Sequence, residues 1–244
     1  MKRKSILIGI ICSVILLFFA CGNDIQNLPS EKDSFENPLE IVGIMHNEAL
    51  TQVEKANAKD LKTAFQIIID YYSTFNDTTI YTDVDSLLYI TSLGFYDVSL
   101  DSVCLYYKNA GYLNDIQYTY CLSLYSAVEF SKTFDDFISK VKEIEIKLYN
   151  EKELREEEKD VLWGALSIAK HSGTYWHNYR KGEKAPEPVY TGTWIGETSA
   201  DVAGWFFGFC EPSGSQRRRP FRRASQTSAS ASERYVIAHW VIIE

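Results

Sequence analysis

Apolar residues recur at helical spacing from Pro38 to about Tyr179, with polar positions filling the intervals almost without a break. Asn37-Pro38 followed by Glu40 predicts an N-cap, a proline at the first helical position and a capping-box acid. The helix they open carries Val42, Met45, Ala49, Val53 and Ala56 on one face. Leu61, Phe65, Ile68, Tyr72 and Phe75 mark a second helix. Asp83 opens a short third around Leu87, Leu88 and Ile90, closed by Gly94. Ser99 is placed to cap a fourth that runs to Asn109, before a turn at Gly111. Asp115 begins a fifth through Ile116, Tyr120, Leu124 and Val128. The clearest pattern follows. Thr133 stands as a cap with Asp136 at the third position, and Phe134, Phe137, Ile138, Val141, Ile144 and Leu148 form one stripe. Lys140, Lys142, Glu143, Glu145 and Lys147 read as its solvated face. A last helix starts near Glu153, with Glu156, Glu157 and Glu158 beside its N-terminal dipole. It passes through Val161, Leu162, Ala165, Ile168 and Ala169, and Gly182, Pro186 and Pro188 stop it. No strand-like alternation interrupts this run, and no fixed repeat period is found. The pattern predicts an all-α domain over 38–182, an irregular bundle of about six to seven helices.

The two ends differ in character from this body. Lys2, Arg3 and Lys4 form a cationic head, Ile6 to Phe19 an apolar run, and Ala20-Cys21-Gly22 a small-residue junction. That is the layout of a secretory signal over 1–20, and its core is shorter than the roughly 20 residues a spanning helix needs. Residues 21–37 are polar, carry Pro29 and Ser30, and read as a flexible tether. Residues 183–244 read as a tail in three parts. Thr191 to Phe209 is rich in Gly, aromatic and small residues. Arg217 to Arg223 holds five of the nine arginines, and Gln226 to Ser232 is Ser/Ala/Thr low complexity.

A cysteine at the signal junction resembles a bacterial lipoprotein signal. The resemblance implies that Cys21 takes a diacylglyceryl group, becomes the first mature residue, and ties the protein to a membrane by acyl chains. Such chains contribute about 0.8 kcal/mol per buried methylene, and stable anchoring takes more than one. Gly22 stands where an Asp would imply inner-membrane retention, so the resemblance points to the outer membrane. Gly43-Ile44-Met45-His46-Asn47, Ala165 to Trp176 and Gly192 to Gly208 are further similar to uncharacterised Gram-negative lipoproteins with a helical body and a glycine-zipper, bacteriocin-like tail. The arginine cluster departs from that resemblance. Gly/Ala-rich codons read out of frame yield Arg, Pro and Ser, so compensating frameshifts would produce it.

Charge narrows the function classes. Removing Lys2, Arg3 and Lys4 takes the formal charge from −8 to −11. An acidic body of this sign repels nucleic acid, which is excluded as a partner. Cys104, Cys121 and Cys210 remain once Cys12 and Cys21 are set aside; an odd count without close spacing is no disulfide framework. Cys104 and Cys121 either pair, if their helices pack together, or stay as two separate buried thiols.

Catalytic chemistry finds little support in the spacing. His46, Glu48, His171 and His177 are the histidine-carboxylate groups that bear on a metal. His171 and His177 lie about 240° apart around a helix, and neither metal ligands nor cofactors are expected. No Gly-x-Ser-x-Gly elbow is present, and no histidine neighbours Cys104 or Cys121 in sequence. No catalytic residue is expected, and the protein is read as a non-enzyme. Tyr106, Tyr107, Tyr112 and Tyr118 offer flat apolar faces with polar rims, the chemistry of a carbohydrate or peptide groove. They are the expected ligand-binding residues, and an envelope protein or glycan the expected partner, beside the membrane itself. The functional expectation is therefore a lipid-anchored binding or structural module. Two alternatives are a membrane-active factor working through the Gly-rich tail, and a hydrolase whose Cys104 or serines meet His46 or His171 only in space.

Overall fold

The computed structural model describes residues 35–75, 83–85, 88, 98–181, 194–210 and 228. The signal, Cys21, the expected tether up to residue 34, most of the expected 83–94 helix and the arginine cluster lie outside the described residues, whereas Asn37, read as the last tether residue, is buried. The chain divides into two compact units, Met1–Phe35 and Glu36–Glu244, and the described residues fall in the second apart from Phe35. Among them stand seven helices and no strand, the all-α bundle expected: α1 Glu40–Ala56, α2 Leu61–Ser73, α3 Leu100–Asn109, α4 Asp115–Phe130, α5 Phe134–Tyr149, α6 Glu156–Lys181 and α7 Trp194–Cys210.

Side-chain caps set three of the seven helix starts, and Ser99, expected to cap α3, makes no cap bond there. Asp60 accepts from the Thr63 amide, and Thr133 Oγ1 accepts from that of Asp136 at 3.1 Å. Asn114 and Gln117 form a reciprocal capping box at 2.9 and 2.8 Å. Gly111, at φ +79°, turns the chain between α3 and α4 where a Cβ would be strained. The first helix departs from its expected start. Asn37, three residues ahead of the helix proper, accepts from Leu39 N on its Oδ1 at 2.8 Å, while its Nδ2 reaches the Glu145 carboxylate and the Trp163 carbonyl. Glu40 leaves the cap as well and turns to α6. Tertiary partners, each charged or buried, outbid a local capping box here.

Helix α6, the longest, is the axis of the bundle and packs on α1, α4, α5 and α7. One core cluster gathers Ala49, Leu50 and Val53 of α1, Phe65, Ile68 and Tyr72 of α2, and Trp176 of α6. A second layer comes from α7, where Val202, Ala203, Trp205 and Phe206 are all buried. Close approach is built into α6. A Cβ on Gly164 would stand 1.8 Å from the Trp205 indole, and one on Gly173 2.6 Å from the Phe137 ring. Trp205 seats its ring over Gly164 and donates Nε1–H to the Val161 carbonyl at 2.8 Å.

Two sequence expectations differ from this arrangement. Glu145 stands not on a solvated face of α5 but buried beside Asn37 and Lys170. Residues 194–210, read as part of a tail beyond the helical domain, form α7 and pack against α6, α3 and α4. Ala200 and Ala203 are buried in that helix, and periodicity alone does not separate such a helix from a low-complexity segment.

Candidate functional site

The chemically richest part of the molecule is a polar seam buried where α1, α6 and α7 meet. Its centre is Asp201 of α7, whose side chain is wholly out of solvent. Asp201 Oδ2 accepts from Ser172 Oγ at 2.5 Å and from Trp176 Nε1 at 3.2 Å, both on α6. Its Oδ1 stands 3.2 Å from His46 Nε2 of α1, without the alignment of a hydrogen bond. The Asp201 backbone carbonyl accepts from Ser228 Oγ at 2.7 Å. A buried carboxylate is costly unless its oxygens are met; here α6 meets Oδ2 with two donors, while Oδ1 faces His46 of α1 without a hydrogen bond.

The seam continues outward along α1 and α6. His46 Nδ1 faces Asn47 Oδ1 at 3.0 Å, and Asn47 Nδ2 donates to the His171 carbonyl at 2.8 Å. Ser167 Oγ takes the Gly43 amide proton at 3.0 Å and donates to the Glu40 carbonyl at 3.1 Å. Gly43 is needed for this approach, because a Cβ there would lie 2.6 Å from both the His171 ring and the Ser167 carbonyl. At the rim, the Glu40 carboxylate takes His171 Nε2 on one oxygen and Lys170 Nζ on the other, each at 2.7 Å. Lys170 also reaches Glu145 at 3.2 Å. Burial by itself would raise the Glu40 carboxyl. The hydrogen bonds from His171 and Lys170, with the charge of Lys170, outweigh it and hold the group below the usual carboxylate range.

What this arrangement does chemically follows from the order of its members. Asp201 stands between Ser172 and His46, so the hydroxyl has a carboxylate for its partner and not an imidazole. A relay that activates a serine places histidine in the middle. Ser172, His46 and Asp201 are all fully buried. The seam acts as a three-helix clamp.

The other candidate residues are scattered. Cys104 is a buried thiol on α3, and Cys121 another on α4. Glu48 accepts from the Tyr71 hydroxyl, His171 meets Glu40, and His177 stacks on Phe134 with centroids 4.1 Å apart. Among the described residues no cluster of His, Cys, Asp or Glu is placed to hold a metal ion. The four tyrosines occupy one hairpin, α3–α4, in different settings. Tyr106 is 60% and Tyr112 43% exposed, whereas Tyr107 is buried and meets both edge-on at 5.1 and 5.9 Å. Tyr118 lies under the Lys108 ammonium at 4.6 Å. Asp201, Ser172 and Glu145 were missed by sequence reasoning. One signal was available: an acid in an otherwise apolar helical run is a candidate for a paired, buried charge.

By fold and site the described unit is an irregular all-α bundle clamped by a buried Asp-centred network. The chain matches no protein-family model, and comparison with curated proteins and with solved structures gives no match.

Proposed function

We propose that the protein is a lipid-anchored cell-envelope protein, held at the outer membrane through acylated Cys21, whose helical unit binds a partner. The outer face of the α3–α4 hairpin is the binding surface in this reading. The observation that carries it is the outward display of large apolar side chains on one hairpin: Tyr106 and Tyr112 with Leu105 at 43% and Leu122 at 37% exposure. Exposed aromatic and aliphatic groups on one hairpin favour a partner, because covering them releases water at about 25 cal/mol per Å². The partner is an envelope protein or a glycan, either of which can stack on the tyrosine faces.

The buried seam supports a structural role for the polar groups behind that surface, since its members hold α1, α6 and α7 to one another. No described helix is long and apolar enough to cross a membrane. A membrane-active reading would require α7 to withdraw Trp205, Phe206 and Asp201 from the core, where all three are buried.

The test uses the native host. A photo-crosslinking residue in place of Tyr106 is expected to give a discrete adduct, and one in place of the exposed Lys142 on α5 none. Equal labelling from both positions, or from neither, counts against the hairpin. A Cys21→Ser chain is expected to leave the membrane fraction, and its retention there would remove the anchor from the proposal.

A further inference from the structure

We propose that Cys104 and Cys121 form a dithiol site across the α3–α4 hairpin, able to close into a disulfide that staples the two helices. This goes beyond the binding role above and does not depend on it.

The register of the hairpin carries the inference. The two helices are antiparallel about the turn at Gly111 and pack on one another. Near the turn, Lys108 Nζ meets Asp115 Oδ1 at 2.9 Å and stands over the Tyr118 ring. Farther along, burial first and then the charges of Asp101 and Glu129 raise the Tyr125 hydroxyl above its ordinary pKa, which places Asp101 across from Tyr125. The cysteines sit between these two points, within one residue of facing places: Cys104 lies three residues from Asp101 and four from Lys108, and Cys121 lies four from Tyr125 and three from Tyr118. Both side chains turn inward, with exposures of 0% and 1%. An inter-helix disulfide needs Cα atoms roughly 4.4–6.8 Å apart, a spacing favoured where small side chains oppose each other across a packed pair.

Closure proceeds by exchange with a small-molecule disulfide, for which oxidised glutathione is the probe. One cysteine thiolate attacks a sulfur of the reagent, forming a mixed disulfide and releasing one glutathione thiolate. The second cysteine thiolate then attacks the protein-side sulfur, closing the Cys104–Cys121 bond and releasing the other glutathione. Two electrons pass to the reagent, and the two thiol protons end on the two released glutathione thiols. Because the thiols are buried, exchange passes through local opening of the hairpin and is slow.

The full chain is brought to redox equilibrium in glutathione buffers, approached from both the reduced and the oxidised protein, then alkylated and digested. Trypsin cuts at Lys108, between the two cysteines, so the bond would join two otherwise separate peptides. The linked pair is expected, with a melting temperature about 5–10 °C above that of the reduced protein, since the bond closes a short loop in the unfolded chain. Cys104→Ser and Cys121→Ser are each expected to abolish both the linked peptide and the shift. Both cysteines remaining alkylatable once the two approaches agree would overturn the proposal. So would a linked peptide in a protein of lower melting temperature, because the bond would then be forming against the native hairpin.

Discussion

Asp201 shows how much one side chain can decide in this bundle. Its carboxylate takes hydrogen bonds from Ser172 and Trp176 and stands against His46, so a single buried charge fixes α7 to α6 and α1 together. Removing it leaves a hydroxyl, an indole N–H and an imidazole facing a gap, and each unmet buried group carries its own desolvation cost. Asp201→Ala is expected to lower unfolding stability by about 3–5 kcal/mol in urea titration. Asp201→Asn, which keeps the shape and an acceptor oxygen, is expected to cost about 1–3 kcal/mol. Trp176 emission should shift to the red in the alanine variant. Equal stability of Asp201→Ala and wild type would mean that the network contributes nothing to the clamp.

At the scale of elements, the contact of α1 with α6 is polar as well as close. Ser167 bridges the Gly43 amide and the Glu40 carbonyl, and the Glu40 carboxylate binds Lys170 and His171. The Glu40 carboxyl is held below its ordinary value in the fold, so folding favours its ionised form. The stabilisation this brings is fully present above the unfolded-state value near 4.5 and is lost as pH falls through the lowered folded value. Wild-type protein is therefore expected to lose stability on acidification below that range more steeply than Glu40→Gln, measured as urea midpoints across pH 3–6 (roughly the carboxylate range). Parallel profiles would show that the α1–α6 ion pairs are not coupled to folding. The same interface shows why the capping box expected at Asn37 and Glu40 does not form. Both side chains reach partners more than a hundred residues away in sequence, and spacing of a few residues carries no record of them.

At the scale of the whole molecule, α7 carries the folded unit beyond α6. Val202, Trp205 and Phe206 are buried among the other helices, and Gly164 of α6 is open only to receive the Trp205 ring. A chain ended at Pro186 would uncover that side of α6, together with Ser172 and Trp176. It is expected to lose the cooperative thermal transition expected of the full chain in circular dichroism, retaining helical signal without a sharp midpoint. A truncated chain that melts as sharply as the full one would place α7 outside the cooperative unit. The outward side of α3–α4, with Tyr106 and Tyr112, lies on the opposite account: it is surface the fold leaves uncovered.

The identity of six of the seven described helices was determined by the sequence itself, and α7 was not. Period and capping are local: Thr133 finds the Asp136 amide, Asp115 follows its cap, and Gly111 turns because it carries no Cβ for a positive φ to strain. The stripe of α5 and the long run of α6 needed only their own spacing to be read. Which polar residues go inside was settled by the tertiary structure alone. Glu145 sits on what periodicity marks as a wet face, and Asp201 in what composition marks as a tail, yet both are buried because partners from distant helices meet their charges. The same holds for the tyrosines: one composition gives Tyr107 to the core and Tyr106 to solvent, one residue apart, because only the packing of α3 on α4 and α7 distinguishes their two directions.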